Sequence, residues 1–191
     1  MTPLRLLLLA LLLLPLPALG APPLRPYAGR GVLIIPATDV SGAVELYEYP
    51  AVRRKGSILL TELPTLHPAL PSKRGEIALA TTALREGSAR VSVAASGEEG
   101  WLILRPGWRC LPWERFLVGR VVRLMTGLQG TASQVRQTPA ESGGNVGSIS
   151  AGSPLLLGEI RGDWALVMKG GTPLGWLRWR DGDGRMMVAV E

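Results

Sequence analysis

The chain has 191 residues, of which 47% are apolar and 19% charged, with a formal net charge of +6. That balance buries a core and excludes wholesale disorder. A high content of glycine (24) and proline (16) beside abundant Val, Leu and Trp suits short strands joined by turns better than long helices.

Residues 1–20 read as a secretory signal peptide. Arg5 is the only charge before an unbroken Leu/Ala run from Leu6 to Leu14, and Ala18-Leu19-Gly20 ends the segment before Ala21. A basic start, an apolar stretch of about 7–15 residues and a small-x-small end are the parts of such a peptide. The rival is a retained anchor, because no charge falls between Arg5 and Arg25 and a spanning helix needs roughly 20 apolar residues. Pro15, Pro17, Pro22 and Pro23 inside that window break helix hydrogen bonding and favour cleavage, which leaves no stable membrane span. Cleavage lowers the charge from +6 by one, to +5. The expected location is periplasmic or secreted.

Residues 21–42 form a leader, beginning as the irregular Ala-Pro-Pro-Leu-Arg-Pro-Tyr-Ala-Gly-Arg-Gly. Short apolar runs fenced by Gly, Pro, Ser or Asp follow at 32–35, 44–49, 57–60, 77–84, 90–94 and 101–104. Residues 61–72 carry Pro64, Pro68 and Pro71 and read as a loop. In residues 112–128, Phe116, Leu117, Val121, Leu124, Met125 and Leu128 fall at helical spacing, while Val118, Val121 and Val122 argue for a strand. This connector, 112–131, reads either as one short helix or as a helix followed by a strand. The small residues of Thr126–Ser133 mark the expected domain boundary. Apolar runs return at 134–136, 146–149, 154–160, 164–168, 175–179 and 185–190, enough short strands for a small barrel.

The two halves share a pattern. Gly87-Ser88-Ala89-Arg90-Val91 precedes Gly100-Trp101 at the spacing by which Gly162-Asp163-Trp164-Ala165-Leu166 precedes Gly175-Trp176. The C-terminal half resembles the bacterial SH3-like (SH3b) domain. The residues that carry the likeness are Val135-Arg136 with Pro139, Ala151-Gly152 before Leu155-Leu156-Leu157, Gly162-Asp163-Trp164-Ala165-Leu166-Val167 and Leu174-Gly175-Trp176-Leu177. Residues 43–111 resemble the same domain more faintly, with Ala89 at the place of the first Trp. The resemblance implies an all-β fold: two small SH3-like barrels in tandem, 43–111 and 132–191, joined by the short connector. It implies a non-catalytic, exported binding module that recognises cell-wall peptide or an envelope protein segment. The alternatives are an assembly protein of the envelope whose barrels pack on a partner, and an unrecognised cell-wall hydrolase.

Candidate ligand contacts are aromatic and cationic. Trp164 and Trp176 either line a groove or close the barrel core. Trp179 lies three residues beyond Trp176, so a regular strand sends the two to opposite faces; an exposed Trp179 beside Arg178 and Arg180 is then a contact candidate, with Arg178. Tyr47 and Tyr49 share a strand face and offer the same in the first half. Arg105, Arg109, Arg115, Arg120 and Arg123, interleaved with Trp108, Trp113 and Phe116, would suit nucleic acid; export argues against that partner and for anionic envelope polymers. No catalytic set is expected: His67 is the only histidine, and Cys110, the only cysteine, reads as a small buried apolar residue or an intermolecular disulfide partner. Asp181-Gly182-Asp183-Gly184 reads as a hairpin turn, since a calcium loop beginning at Asp181 would put Arg185 at its fifth position. No metal or cofactor is expected. N-terminal sequencing of the protein from the producing cell is expected to start at Ala21; an intact Met1 would establish the anchor instead.

Overall fold

The structure is a computed structural model, and it describes residues 25–39, 42–62, 75–94, 98–128 and 130–191. The Leu run, the proposed cleavage site, most of the loop at 61–72 and His67 lie outside the described residues. Among the described residues no helix is long and apolar enough to cross a membrane.

The fold is all-β, in two tandem domains. In chain order the first seven strands are β1 (Gly31–Ile35), β2 (Ala43–Tyr49), β3 (Arg53–Leu59), β4 (Ile77–Arg85), β5 (Ser88–Ser92), β6 (Glu99–Ile103) and β7 (Arg109–Pro112). After the five-residue helix α1 (Trp113–Leu117) come β8 (Val121–Leu124), β9 (Gln134–Arg136), β10 (Asn145–Ser148), β11 (Pro154–Arg161), β12 (Trp164–Lys169), β13 (Thr172–Arg178) and β14 (Val188–Val190). The first sheet runs β3-β2-β6-β5-β4-β1-β7 and the second β10-β9-β13-β12-β11-β8-β14. Counted from the first strand of each, the two orders are identical, so the repeat seen in the residues is a repeat of topology. Each sheet curls over its own core but stays open: β3 and β7, like β10 and β14, end the order unpaired to one another. The expected barrels are therefore not closed.

The connector is not a tether. Val121–Leu124 is the strand β8, held between β11 and β14, so the described residues of 126–133 lie between two strands of the second sheet, β8 and β9. The helical spacing of the segment holds only over α1. Beyond it the β-branched pair Val121-Val122 finds strand partners far away in sequence, and nonlocal pairing overrides local periodicity. The leader is likewise part of the fold, since β1 sits between β4 and β7.

β1 also joins the halves. All five of its residues are buried, as expected of a continuous apolar run covered on both faces. Leu33 and Ile35 face the first-half core with Ile77, Leu79, Val91 and Leu102. Val32 and Ile34 alternate onto the other face, where with Ala78 and Ala80 they enter one cluster with Trp113, Phe116, Leu117 and the second-half residues Val122, Leu155, Leu177 and Trp179. The core of the second half thus extends under the first sheet, and α1 is the wedge between them. Trp113 stands with its ring centroid 5.7 Å from Phe116 and 5.3 Å from Trp179. Its indole N–H donates to the Ala28 carbonyl at 2.9 Å, so burial leaves no polar group unmet.

Trp179 is 1% exposed and among the largest fully buried side chains. This overturns its assignment as a surface contact. β13 ends at Arg178, so the alternation that would turn Trp179 outward no longer applies; its N–H donates to the Gly162 carbonyl at 2.9 Å. Trp179→Ala is expected to destabilise the protein by about 3–5 kcal/mol. Wild type should melt in one transition because the halves share a core. Calorimetry of residues 21–191 checks both; a wild-type melting temperature in the variant would refute the shared core.

Candidate functional site

Alternation along β12 and β13 sends Ala165, Val167 and Leu177 into the core and Trp164, Leu166, Trp176 and Arg178 to the opposite face. Cross-strand register then sets the neighbours. Trp164 lies opposite Arg161 on one side and Arg178 on the other; Trp176 lies between Leu166 and Arg136. Trp164 and Trp176 are each only 8% exposed, yet neither belongs to an apolar core cluster. Their cover is cationic: the Arg178 guanidinium lies 5.5 Å from the Trp164 ring centre and Arg161 lies 5.1 Å from that of Trp176. Such stacking is worth about 0.5–1 kcal/mol at an accessible site and more when desolvated.

The first half repeats the device. In register, Trp101 lies between Arg90 and Tyr47, and Arg85, the last residue of β4 as Arg161 is of β11, covers Trp101 at 5.8 Å. Register also corrects the alignment of the repeats. With Trp101 matched to Trp176, Ala89 matches Ala165, both fully buried, and Ser88 rather than Ala89 stands where Trp164 does. The slip arises because glycine is the second residue of one hairpin turn (Glu86-Gly87) and the first of the other (Gly162-Asp163). The glycine before each Trp lets the neighbouring strand close in. A Cβ on Gly175, at φ 131°, would sit 2.7 Å from the Arg136 carbonyl oxygen, and one on Gly100 would sit 2.9 Å from a Leu46 methyl.

Two of the expected residues, Trp164 and Arg178, line one groove of about 180 Å³ with Arg136, Glu141, Asp181 and Met187. Arg178 Nη1 is paired with Glu141, while its buried Nε has no hydrogen-bond partner. An unmet buried donor costs about 1–3 kcal/mol, more for a charged group. Trp176 lies on the same sheet face but does not line this groove. Tyr47 lines a separate hollow of about 250 Å³ with Val44, Glu45, Ile103 and Arg105; Glu45 accepts from its hydroxyl and raises its pKa. Tyr49 is 58% exposed beyond a register irregularity that separates it from Tyr47. Trp101 lines a third groove of about 300 Å³ with Lys55, Arg90 and Glu99. Trp101 and Arg136 were read only as motif residues, and Glu141 and the covering Arg85 and Arg161 were not singled out, although each covering Arg directly precedes a glycine-bearing hairpin turn and a Gly-Trp pair follows.

Other candidates have structural partners. Arg120 donates to the Phe116 carbonyl at 2.6 Å and Arg123 pairs with Glu191. Cys110 is half-buried in β7, opposite Leu33, and burial raises its thiol pKa. In the acidic tetrad, Asp181 Oδ1 accepts the backbone N–H of Asp183 at 3.0 Å and of Arg185 at 2.9 Å, and Arg180 and Met186 pair across the turn.

Comparison with known proteins yields no matching family model and no match among curated proteins. Two solved structures show a distant similarity to the chain. NlpC2 from Trichomonas vaginalis is 10% identical with a TM-score of 0.34, covering 87% of this chain and 49% of its own, so this chain spans about half its length. The endolysin LysPBC5 CBD is 16% identical with a TM-score of 0.26, covering 85% of this chain and 94% of its own. Both likenesses are distant, and the functional reading rests on this chain's own residues.

Asp181 on the rim of the Trp164 groove has its carboxyl pKa lowered by its neighbours. Burial pushes the Asp181 carboxyl up, but the N–H groups of Arg185 and Asp183 and the Arg25 guanidinium, 2.6 Å away, outweigh it and hold the pKa below the ordinary 3.8. Because the folded value lies below the unfolded one, this stabilisation is complete above about 3.8 and is lost as pH falls through the folded value. Asp181→Asn is therefore expected to lower stability by about 1 kcal/mol near neutrality, with the gap closing in acid. Melting of both proteins between neutral and strongly acidic pH checks this; a gap constant across the range would contradict it.

Proposed function

We propose that the protein is an exported, non-catalytic binding module of the periplasm or cell exterior, recognising cell-wall peptide or an envelope protein segment through the Trp164–Arg178 groove. The observation that carries this reading is a recess with an aromatic wall, two arginines and one buried guanidinium donor left without a partner. Aromatic side chains with a few convergent polar groups are features of ligand pockets. The N-terminal Leu run and the SH3b-like residues around Trp164 and Trp176 support export and an envelope ligand. The assembly alternative asks for an unpartnered apolar face at the connector, and the face formed by α1 is already covered by the chain's own two halves.

Arg120 and Arg123 have partners away from the groove, and this reading assigns the charge contribution to Arg136 and Arg178, which line it. Residues 21–191 should co-sediment with purified cell wall at low salt. Arg136→Gln should weaken retention at least about threefold at low salt and less at high salt, and Trp164→Leu should weaken it at both. Failure to retain wall or any envelope protein at low salt would overturn the binding reading.

A further inference from the structure

We propose that the Trp164–Arg178 groove is a carboxylate subsite, and that Glu141 occupies the ligand carboxylate's place in the free protein. The inference rests on the binding reading above and narrows its ligand to a peptide that presents a carboxylate.

The geometry of Arg178 leads to it. The Arg178 guanidinium carbon lies over the Trp164 ring, 5.5 Å from its centre. Nη1 is taken by Glu141, while Nε is buried and unpaired. A guanidinium satisfies a carboxylate best through two parallel N–H donors; Glu141 meets Arg178 through Nη1, and Nε, on the other side of the guanidinium, stays unpartnered. Glu141 is also an inexpensive occupant to displace. Its side chain is 59% exposed, it lies in an irregular stretch between β9 and β10, and its released carboxylate would return to water.

The other charges at the groove fit an incoming anion. Arg136 lines it, and its Nη1 donates to the Gly143 carbonyl at 3.2 Å. Asp181 would oppose an anion, but Arg25 neutralises it at 2.6 Å and two backbone N–H groups bind its oxygen. With Glu141 swung aside, two arginines face the groove against one carboxylate that already has its own cation.

The test uses residues 21–191 and three peptides, followed by calorimetry and by Trp fluorescence: acetyl-Ala-Ala-Ala with a free carboxylate, the same peptide as the C-terminal amide, and acetyl-Ala-Asp-Ala amide. The free acid is expected to bind at least about tenfold more tightly than the trialanine amide. Glu141→Ala should tighten the acid about threefold or more and leave the amide unchanged. Glu98→Ala, which removes an exposed carboxylate from the first half, should change neither. Tight binding of the Asp peptide would name an acidic side chain as the source of the carboxylate, and its weak binding would name the chain terminus; both support the subsite. Equal affinity for acid and amide, no effect of Glu141→Ala, or an equal gain from Glu98→Ala would each overturn it. If wall retention persists while acid and amide bind alike, only the carboxylate subsite falls. If retention and peptide binding both fail, the reading beneath it falls as well.

Discussion

The contact on which the molecule depends is Trp113 against Trp179. Trp113 opens α1 immediately after the last strand of the first sheet, and Trp179 follows the end of β13 in the second. Their packing closes the apolar back of β1 and β4 against the second core. Both indole N–H groups are spent on backbone carbonyls in different places, Ala28 on the N-terminal segment and Gly162 in the β11–β12 turn. That pair of bonds orients the rings and ties them to the N-terminal segment and to the β11–β12 turn. Arg180 strengthens the arrangement. It stacks 4.9 Å from the Trp179 ring centre, binds Asp163 at 2.6 Å and donates to the Gly29 carbonyl at 3.3 Å. The N-terminal segment then follows the second half through Ala28 N–H to the Gly184 carbonyl and Met186 N–H to the Pro26 carbonyl, at 2.8 and 2.9 Å. The groove borders this same region, because the Asp181 on its rim is held by Arg25.

Most strands were legible because each is a short apolar run ended by a residue that breaks strands. Where the reading failed, a nonlocal effect decided. β7 (Arg-Cys-Leu-Pro) has no apolar run, and it exists because β1 offers a free edge, where a proline's missing donor costs nothing. β8 was masked by helical spacing that α1 genuinely uses for one turn. Thr126–Ser133 has the composition of a linker, and composition does not distinguish a connection within a sheet from a joint between sheets. Trp179 was placed by extending an alternation one residue past the end of its strand. The site was legible in part. Trp164 and Arg178 are cross-strand partners, and the Gly-Trp pattern marks their sheet. Glu141 carries no such mark, because only the folded turn between β9 and β10 brings it to Arg178.

The repeat explains why the halves need not bind alike. Both keep the strand order, the close-approach glycine before a Trp and an arginine laid over that Trp, so these features belong to the architecture. An arginine there shields a large aromatic ring on the outer face of a sheet that cannot close into a barrel. Ser88 in place of Trp164, and Tyr47 in place of Arg136, are where the halves part. The second half gains an aromatic wall beside Arg178 and a second cation across from Trp176. The first half instead sets Tyr47, Trp101 and Arg90 in one cross-strand row, with Arg90 tied to Glu99 at 3.0 Å. Features common to both halves are thus explained by folding alone, and the groove is built from the residues that differ, which is the ground for placing function there and not at the shared Arg–Trp stacks.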